Sequence, residues 1–277
     1  MNVRAQANET RPFLRWAGSK RKLLPQLTPY WGVGFKRYIE PFVGSAALFF
    51  SLRPPDAILS DINPELVQLL EAVRDHPQAV HKKVTSYPRG KRTFYQLRNL
   101  KSGDLTPIER AARLLFLNRF CFNGLYRTNL KGDFNVPFSP EGTGSLPLRR
   151  DLLAAAKSLR RAELRCGDFE GVIFGTVRAG DFVYMDPPYA VSNRRIFRQY
   201  GPQSFGLDDL GRLSAALVEI NRRKARFVLT YADCREARRA FAQWDSRRVY
   251  TQRNISGFAR HRRRAAELVF TNSACSQ

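Results

Sequence analysis

The chain predicts an α/β fold on a mostly parallel sheet, interrupted by a basic insertion. Short apolar runs alternate with helical periodicity near both ends, and two of those runs stop on a carboxylate followed by turn formers. Between them lie residues 75 to 157, where no buried-strand pattern occurs and fifteen Lys and Arg face six Asp and Glu. With 277 residues, 43% hydrophobic and 12% aromatic, the chain can bury one core and carry an insertion.

The elements follow in order. Arg37 to Phe42 is β-prone and ends at Val43-Gly44-Ser45-Ala46, where small residues give way to a helical stretch through Phe50: strand, tight turn, helix. Ala57 to Asp61 is a second strand, and Pro64 opens a helix to about Arg74 with Leu66, Leu69, Leu70 and Val73 on one face. Strand–helix–strand–helix with right-handed crossovers makes a parallel sheet. Inside the insertion, Ile108 to Phe120 has helical spacing, Arg127 to Phe138 reads as two short strands around Lys131-Gly132-Asp133, and Ser139 to Pro147 reads as a mobile loop. The α/β pattern resumes with a strand at 181–186, a helix at 208–224, a strand at 226–231, a helix at 233–244, and strands at 247–252 and 267–271. The division expected is 1–74 and 158–277 as two parts of one catalytic domain, with 75–157 inserted.

Composition narrows the partners. A formal charge of +23, with thirty-seven of the forty-seven basic residues arginine, points to a polyanion, and the arginine fork suits phosphates and guanine edges. Four dispersed cysteines without a C-x-x-C pair argue for a reducing compartment and against a zinc ribbon; three scattered histidines suggest no metal site. No run approaches the ~18 apolar residues of a membrane span, so a cytoplasmic protein without membrane contact is expected.

The sharpest chemical signal is Asp186-Pro187-Pro188-Tyr189 at the end of a predicted strand, because ligands of open α/β sheets sit beyond those ends. Two prolines remove two backbone donors and leave carbonyl oxygens nearby free to accept. A carboxylate, a carbonyl and an aromatic ring suit an exocyclic amino group on a flat base such as adenine. Read alone, the tetrapeptide is also a strand-ending turn.

Arg15-Trp-Ala-Gly-Ser-Lys20, Glu40-Pro-Phe-Val-Gly44, Ser60-Asp-Ile-Asn63, Asn118 to Arg127, Phe134-Asn-Val-Pro137 and Asp186-Pro-Pro-Tyr189 occur in this order across about residues 11 to 272. The series resembles the Dam-like (D12, α class) DNA adenine N6-methyltransferases. The resemblance implies a Rossmann-like S-adenosylmethionine-dependent methyltransferase sheet, mixed and mostly parallel, with an inserted helical and β-hairpin target-recognition domain. It implies cofactor contacts from Trp16, Lys20, the Phe42–Ala46 turn including Gly44, Asp61 at the ribose hydroxyls and Asp186 near the methionine portion. Asp61 also reads as an N-cap for the helix begun at Pro64. The chain departs from the family's F-x-G-x-G at Ala46, where a methyl group limits backbone approach and penalises positive φ.

In the implied reaction Asp186 and the Pro187 carbonyl hold the two N–H groups of a flipped adenine, Tyr189 stacks on it, and no metal or covalent intermediate is needed. The implied DNA contacts are Arg127 to guanine, Leu125 to a neighbouring pair, and Phe122 with Asn123 as an intercalating pair, within GATC. Arg15 and Arg260 to Arg264 read as phosphate contacts. The expected partners are double-stranded DNA and, in a restriction–modification setting, a cognate endonuclease, with the chain a monomer or weak dimer. The competing readings are a DNA-binding relative with decayed catalysis, and methylation of cytosine N4, RNA or protein glutamine. The last group is disfavoured because Asp opens the P-P-Y motif.

Overall fold

The computed structural model describes residues 10–31, 34–129, 131–139, 144–190, 205–252 and 264–273. Among them, seven strands form one sheet: β1 (Tyr38–Glu40), β2 (Ala57–Asp61), β3 (Ala162–Cys166), β4 (Phe182–Met185), β5 (Arg226–Ala232), β6 (Asp245–Gln252) and β7 (Arg264–Thr271), in the order β3-β2-β1-β4-β5-β7-β6. Five of them run parallel, and β7 is antiparallel to both β5 and β6. The order reverses between β1 and β4, so a crevice opens beyond their carboxyl ends, where such sheets bind ligands.

The central strands β1, β4 and β5 are buried on both faces, as a sheet covered twice requires. One face carries Tyr38, Phe182, Tyr184, Val228 and Val269 into a cluster with α1 (Leu24–Trp31), α2 (Ala47–Leu52) and α3 (Pro64–Asp75). The other carries Ile39, Val183, Met185, Leu229 and Phe270 against α8 (Phe169–Thr176), α9 (Asp208–Arg222) and α10 (Arg235–Ala240). In α3 the cap is Asn63, whose side chain accepts from Glu65 N at 3.1 Å and Leu66 N at 3.3 Å, with Pro64 at the first helical position. Asp61 is thereby released from capping.

The insertion folds as α4 (Pro77–Ser86), α5 (Lys91–Asn99) and α6 (Pro107–Phe120), followed by an arm and by α7 (Arg149–Leu159), which returns to β3. A Thr106–Glu109 capping box starts α6. Its second half is buried all round, the mark of a helix enclosed by others, and it packs on α3 and α4. One apolar cluster therefore runs unbroken from the sheet into the insertion. The buried Arg113 guanidinium reinforces the join, donating to the carbonyls of Leu97 (2.8 Å) and Arg98 (3.1 Å) and to Glu65 of α3 (3.3 Å).

Two expectations change. The arm at 127–138 is closed by isolated antiparallel pairs, Thr128 with Phe134 and Cys121 with Phe138, instead of two strands. The Asn129 side chain accepts from Lys131 N and Asp133 N, both at 2.9 Å, and Pro137 has no N–H, so a ladder cannot extend. The helix expected over 233–244 contracts to α10, and Trp244 leads directly into β6. Within the predicted loop at 139–147, residues 140–143 lie outside the described residues.

Candidate active site

At the end of β4, Asp186 meets a lysine that comes from the other end of the chain. Lys20 heads a 3-10 turn, Lys20–Lys22, that lies over the first face of the sheet, and only 6% of its surface is exposed. Its Nζ is 2.8 Å from Asp186 Oδ1, 3.7 Å from Glu267 Oε2 of β7, and donates to the Gly18 carbonyl at 3.0 Å. Burial alone would lower its pKa, but Asp186 and Glu267 outweigh that and hold it above the ordinary lysine range. Thr230 of β5 also donates to Asp186 Oδ1, at 3.0 Å. Both partners thus occupy one oxygen, and Oδ2 takes no bond from the described residues. Burial raises the Asp186 pKa and Lys20 draws it back.

The neighbouring strands add polar groups on the same face. Glu40, closing β1, is buried and accepts from Tyr38 Oη at 2.9 Å. Burial holds its carboxyl well above the usual range, with Asp186 and Asp61 adding to the shift against the Tyr38 bond. Tyr189 is half-buried, its ring centroid 4.9 Å from that of Tyr231 and 5.1 Å from Lys20 Nζ. Pro187 is buried beside it.

A second group sits beyond β1 and β2. Gly44 N donates to Asp61 Oδ2 at 3.1 Å and Asn63 N to Oδ1 at 3.0 Å, and the Ile62 N–H also favours the ionised carboxylate, so backbone donors hold the group at both oxygens. Burial pushes the Asp61 carboxyl up to about 6 despite these bonds. Gly44 has φ +47°, and a Cβ there would stand 2.9 Å from Trp16 Cδ1, so no side chain fits. Ala46 also lies in the left-handed region, at φ +53°, and caps α2 without a side-chain bond. The methyl group anticipated at this turn is accommodated at the strain cost of that conformation, about 1–2 kcal/mol. Phe42 packs against Phe169 at 5.2 Å and Phe205 at 6.2 Å, giving an aromatic wall beside Asp61. Phe169 follows Asp168, which caps α8 just past β3.

The predicted DNA-reading segment is presented differently. Phe122 is 49% exposed, so it is not core; Asn123 is exposed at φ +54°; and Leu125 is half-buried against the first cluster. Arg127 Nε donates to Asn135 Oδ1 at 2.7 Å, which fixes the base of the guanidinium. Asn118 joins this segment to residue 15, accepting from Arg15 N at 3.0 Å and donating to the carbonyls of Arg15 (2.6 Å) and Gly124 (3.3 Å). Trp16 stacks on Tyr126 at 5.5 Å and 23°, and Tyr126 Oη donates to Glu65 at 3.0 Å. Of the run 260–264, residues 260–263 lie outside the described residues.

Two clusters therefore form: Lys20, Asp186 and Tyr189 in one, Trp16, Phe42, Gly44 and Asp61 in the other, with Arg15 and the 122–127 segment attached through Asn118 and Tyr126. Glu40, Tyr126 and Phe169 were unassigned by motif reading, although each lies in or beside a chemically distinctive run. Thr230 and Glu267 carry no local signal, since only the sheet order brings them to β4. Among the described residues, no group of three or more His, Cys, Asp and Glu side chains gathers as metal ligands, and no helix is long and apolar enough to cross a membrane.

The parallel sheet with an antiparallel seventh strand, ending on D-P-P-Y beside its switch point, defines a Rossmann-like methyltransferase. The family model for D12 class N6 adenine-specific DNA methyltransferases matches residues 16–255, and the chain belongs to that family. It is an adenine-specific DNA methyltransferase. Similar relatives include the Type II methyltransferase M1.LlaDCHI of Lactococcus lactis subsp. cremoris, 29% identical over 272 residues and covering 95% of each chain. The Type II methyltransferase M.MjaIII of Methanocaldococcus jannaschii is 33% identical over 244 residues, covering 80% of this chain and 84% of the relative. The DNA adenine methylase of Haemophilus influenzae is 32% identical over 266 residues, covering 94% and 92%.

Proposed function

We propose that the chain methylates N6 of an adenine flipped out of double-stranded DNA, within GATC, using S-adenosylmethionine. The observation that carries this reading is the Asp186 carboxylate beyond β4, with Oδ1 fixed by Lys20 and Thr230 and Oδ2 left for a ligand N–H.

The cofactor fits the second cluster. Asp61 is a carboxylate held in place by backbone donors and suited to accept from vicinal hydroxyls, Gly44 admits close backbone approach, and the Phe42–Phe169 wall suits a flat base. Trp16 and Lys20 close the same side. Bound there, S-adenosylmethionine supplies an electrophilic methyl group on a sulfonium.

The chain's own residues do the rest. Adenine N6 is a weak nucleophile because its lone pair is delocalised into the ring. Asp186 Oδ2 and the Pro187 carbonyl, each accepting one N6–H, turn that lone pair out of the ring plane and aim it. Tyr189 stacks on the extruded base. Acceleration comes from orientation and acceptors fixed in advance, since Lys20 and Thr230 already set the carboxylate's angle.

Residues 75–157 are assigned target recognition, with Arg127 on guanine, Leu125 on a neighbouring pair, Phe122 and Asn123 entering the stack, and Arg15 on phosphate. GATC rests on the resemblance of the 122–127 segment to Dam-like readers. Two of the similar relatives are named Type II methyltransferases, which supports a restriction–modification setting with a cognate endonuclease. The test is to incubate duplex DNA with the protein and methyl-labelled S-adenosylmethionine, then map the modified bases. N6-methyladenine confined to GATC is expected; methylation at other sites alone would refute the site and spare the chemistry.

A further inference from the structure

Two buried hydroxyls stand behind Asp186. Tyr184 of β4 belongs to the first apolar cluster, and Thr230 of β5, two residues on from Val228 of that cluster, lies on the same face of the sheet. Tyr184 is 2% exposed and Thr230 is fully buried. Tyr184 Oη is 3.3 Å from Thr230 Oγ1, which is 3.0 Å from Asp186 Oδ1 and 3.4 Å from the Met185 carbonyl. Phenylalanine and valine would fill this space without burying two polar groups, so the hydroxyls call for a reason.

Their donors and acceptors can be ordered. Asp186 Oδ1 lies 2.8 Å from the Lys20 ammonium, which only donates, so Oδ1 bears no proton and accepts from Thr230 as well. A threonine hydroxyl has one proton to give. With that proton on Oδ1, Tyr184 must be the donor in its contact with Thr230. Without the tyrosine proton, the Thr230 hydroxyl is free to turn to the Met185 carbonyl and present a lone pair to Oδ1. Tyr38 offers a contrast: it precedes Glu40 by two residues, as Tyr184 precedes Asp186, yet it donates to the carboxylate of its own strand directly, at 2.9 Å. Tyr184 works through the neighbouring strand, which leaves Oδ2 clear.

We infer that Tyr184 is a positioning residue for methyl transfer: its hydroxyl directs the Thr230 proton onto Asp186 Oδ1 and so holds Oδ2 toward the base. The inference rests on the reading of Asp186 as the acceptor for adenine N6–H. Oδ1 then has one lone pair taken by Lys20 and the other by Thr230, so the carboxylate cannot rotate without breaking a bond.

The test is a double-mutant cycle on the full chain: wild type, Tyr184→Phe, Thr230→Val and the two combined, with Thr230→Ser and Asp186→Ala as controls. Single-turnover methyl transfer is measured on duplex DNA that wild type modifies, at saturating DNA and S-adenosylmethionine, with both affinities measured separately. Tyr184→Phe should slow transfer about tenfold, with both affinities within about twofold of wild type. Thr230→Val should slow it at least as much, the combined variant no further than Thr230→Val alone, and Thr230→Ser should recover most of the loss. A Tyr184→Phe rate within twofold of wild type, or a combined loss equal to the product of the single losses, would overturn the inference while Asp186→Ala remained inactive. Near-normal transfer by Asp186→Ala would instead remove the reading of Asp186 on which the inference stands. If Thr230→Val does not fold, Thr230→Ala takes its place in the cycle.

Discussion

The strand-end cluster and the arm at 122–138 differ in how they are held. Lys20 and Glu267 are buried, Asp186 is fixed through one oxygen by two donors, and Glu40 is tied to Tyr38. On the arm, Phe122 and Asn123 are exposed, Asn123 takes a left-handed conformation, and the strands expected there reduce to two isolated pairs. The difference teaches where each function can tolerate movement. An acceptor that aims a lone pair must be set before the substrate arrives, while a wedge that replaces a base must reach into a partner and adapt to it. Asn118 and Tyr126 link the two, through Arg15 and Trp16, so the exposed tip of the arm stands on a fixed root.

The sharpest break in this comparison is Asp186→Ala. It removes the acceptor and leaves Lys20 facing Glu267, while the arm is untouched. Methyl transfer should fall about a thousandfold, with duplex binding by fluorescence anisotropy within a few-fold of wild type. A variant with near-normal turnover would end the assignment of Asp186. Arg127→Ala acts on the other region: it should cost ~1–3 kcal/mol at the guanine position and relax selectivity there, with maximal turnover on saturating DNA little changed. Competition between GATC duplexes and duplexes substituted at the guanine measures this, and unchanged selectivity would exclude the contact.

How much of this was readable beforehand also separates the regions. β2 and α3 were legible because an apolar run ends in a carboxylate and Pro64 marks the helix start; α6 was legible because its cap and spacing are local. β3 goes unread although Ala162-Glu163-Leu164-Arg165-Cys166 alternates apolar and polar residues: the run is short, Leu164 is only half-buried, and Glu163 and Arg165 of this edge strand pair with each other at 2.7 Å. α8 was missed because Gly171 and Gly175 weaken its helical signature. Of the site, Asp61, Gly44 and Asp186 stand in recognisable runs. Glu267 does not, since its meaning comes from Lys20, which only the tertiary fold brings near. The Asn129 loop shows the opposite failure, where a local side-chain bond defeats a strand pattern that was present.

A smaller effect separates stability from binding at Asp61. Burial lifts its carboxyl to about 6 in the fold, from an ordinary 3.8. Between those values the folded state holds the extra proton, so the free protein loses stability as pH rises through the window. A ribose whose hydroxyls donate to the carboxylate favours the ionised form, so S-adenosylmethionine affinity should rise over the same window and level off above it. Calorimetric titration between pH 5 and 8 should show up to about a tenfold gain per unit at the acid end. Asp61→Asn should bind weakly with a flat profile; a steep profile persisting in that variant would place the titrating group elsewhere.

The smallest effect tests the turn beside it. Ala46 is fully buried at φ +53°, and its N–H donates to the Val43 carbonyl at 2.7 Å, so the backbone cannot relax without losing that bond and the start of α2. A left-handed alanine costs about 1–2 kcal/mol; glycine relieves that strain but loses about 0.4–1 kcal/mol to the greater freedom of the unfolded chain. Ala46→Gly should therefore stabilise the protein by roughly 0.5–1 kcal/mol in denaturant unfolding. It should also tighten cofactor binding modestly, because the removed methyl group stands at the turn that carries Gly44. At Gly44 the reverse change meets both a positive φ and Trp16 at 2.9 Å, so Gly44→Ala should destabilise the protein and weaken the cofactor together. Equal and small effects at the two positions would mean that the turn is softer than its dihedral angles imply, and that the rigidity ascribed to this side of the site lies in Asp61 alone.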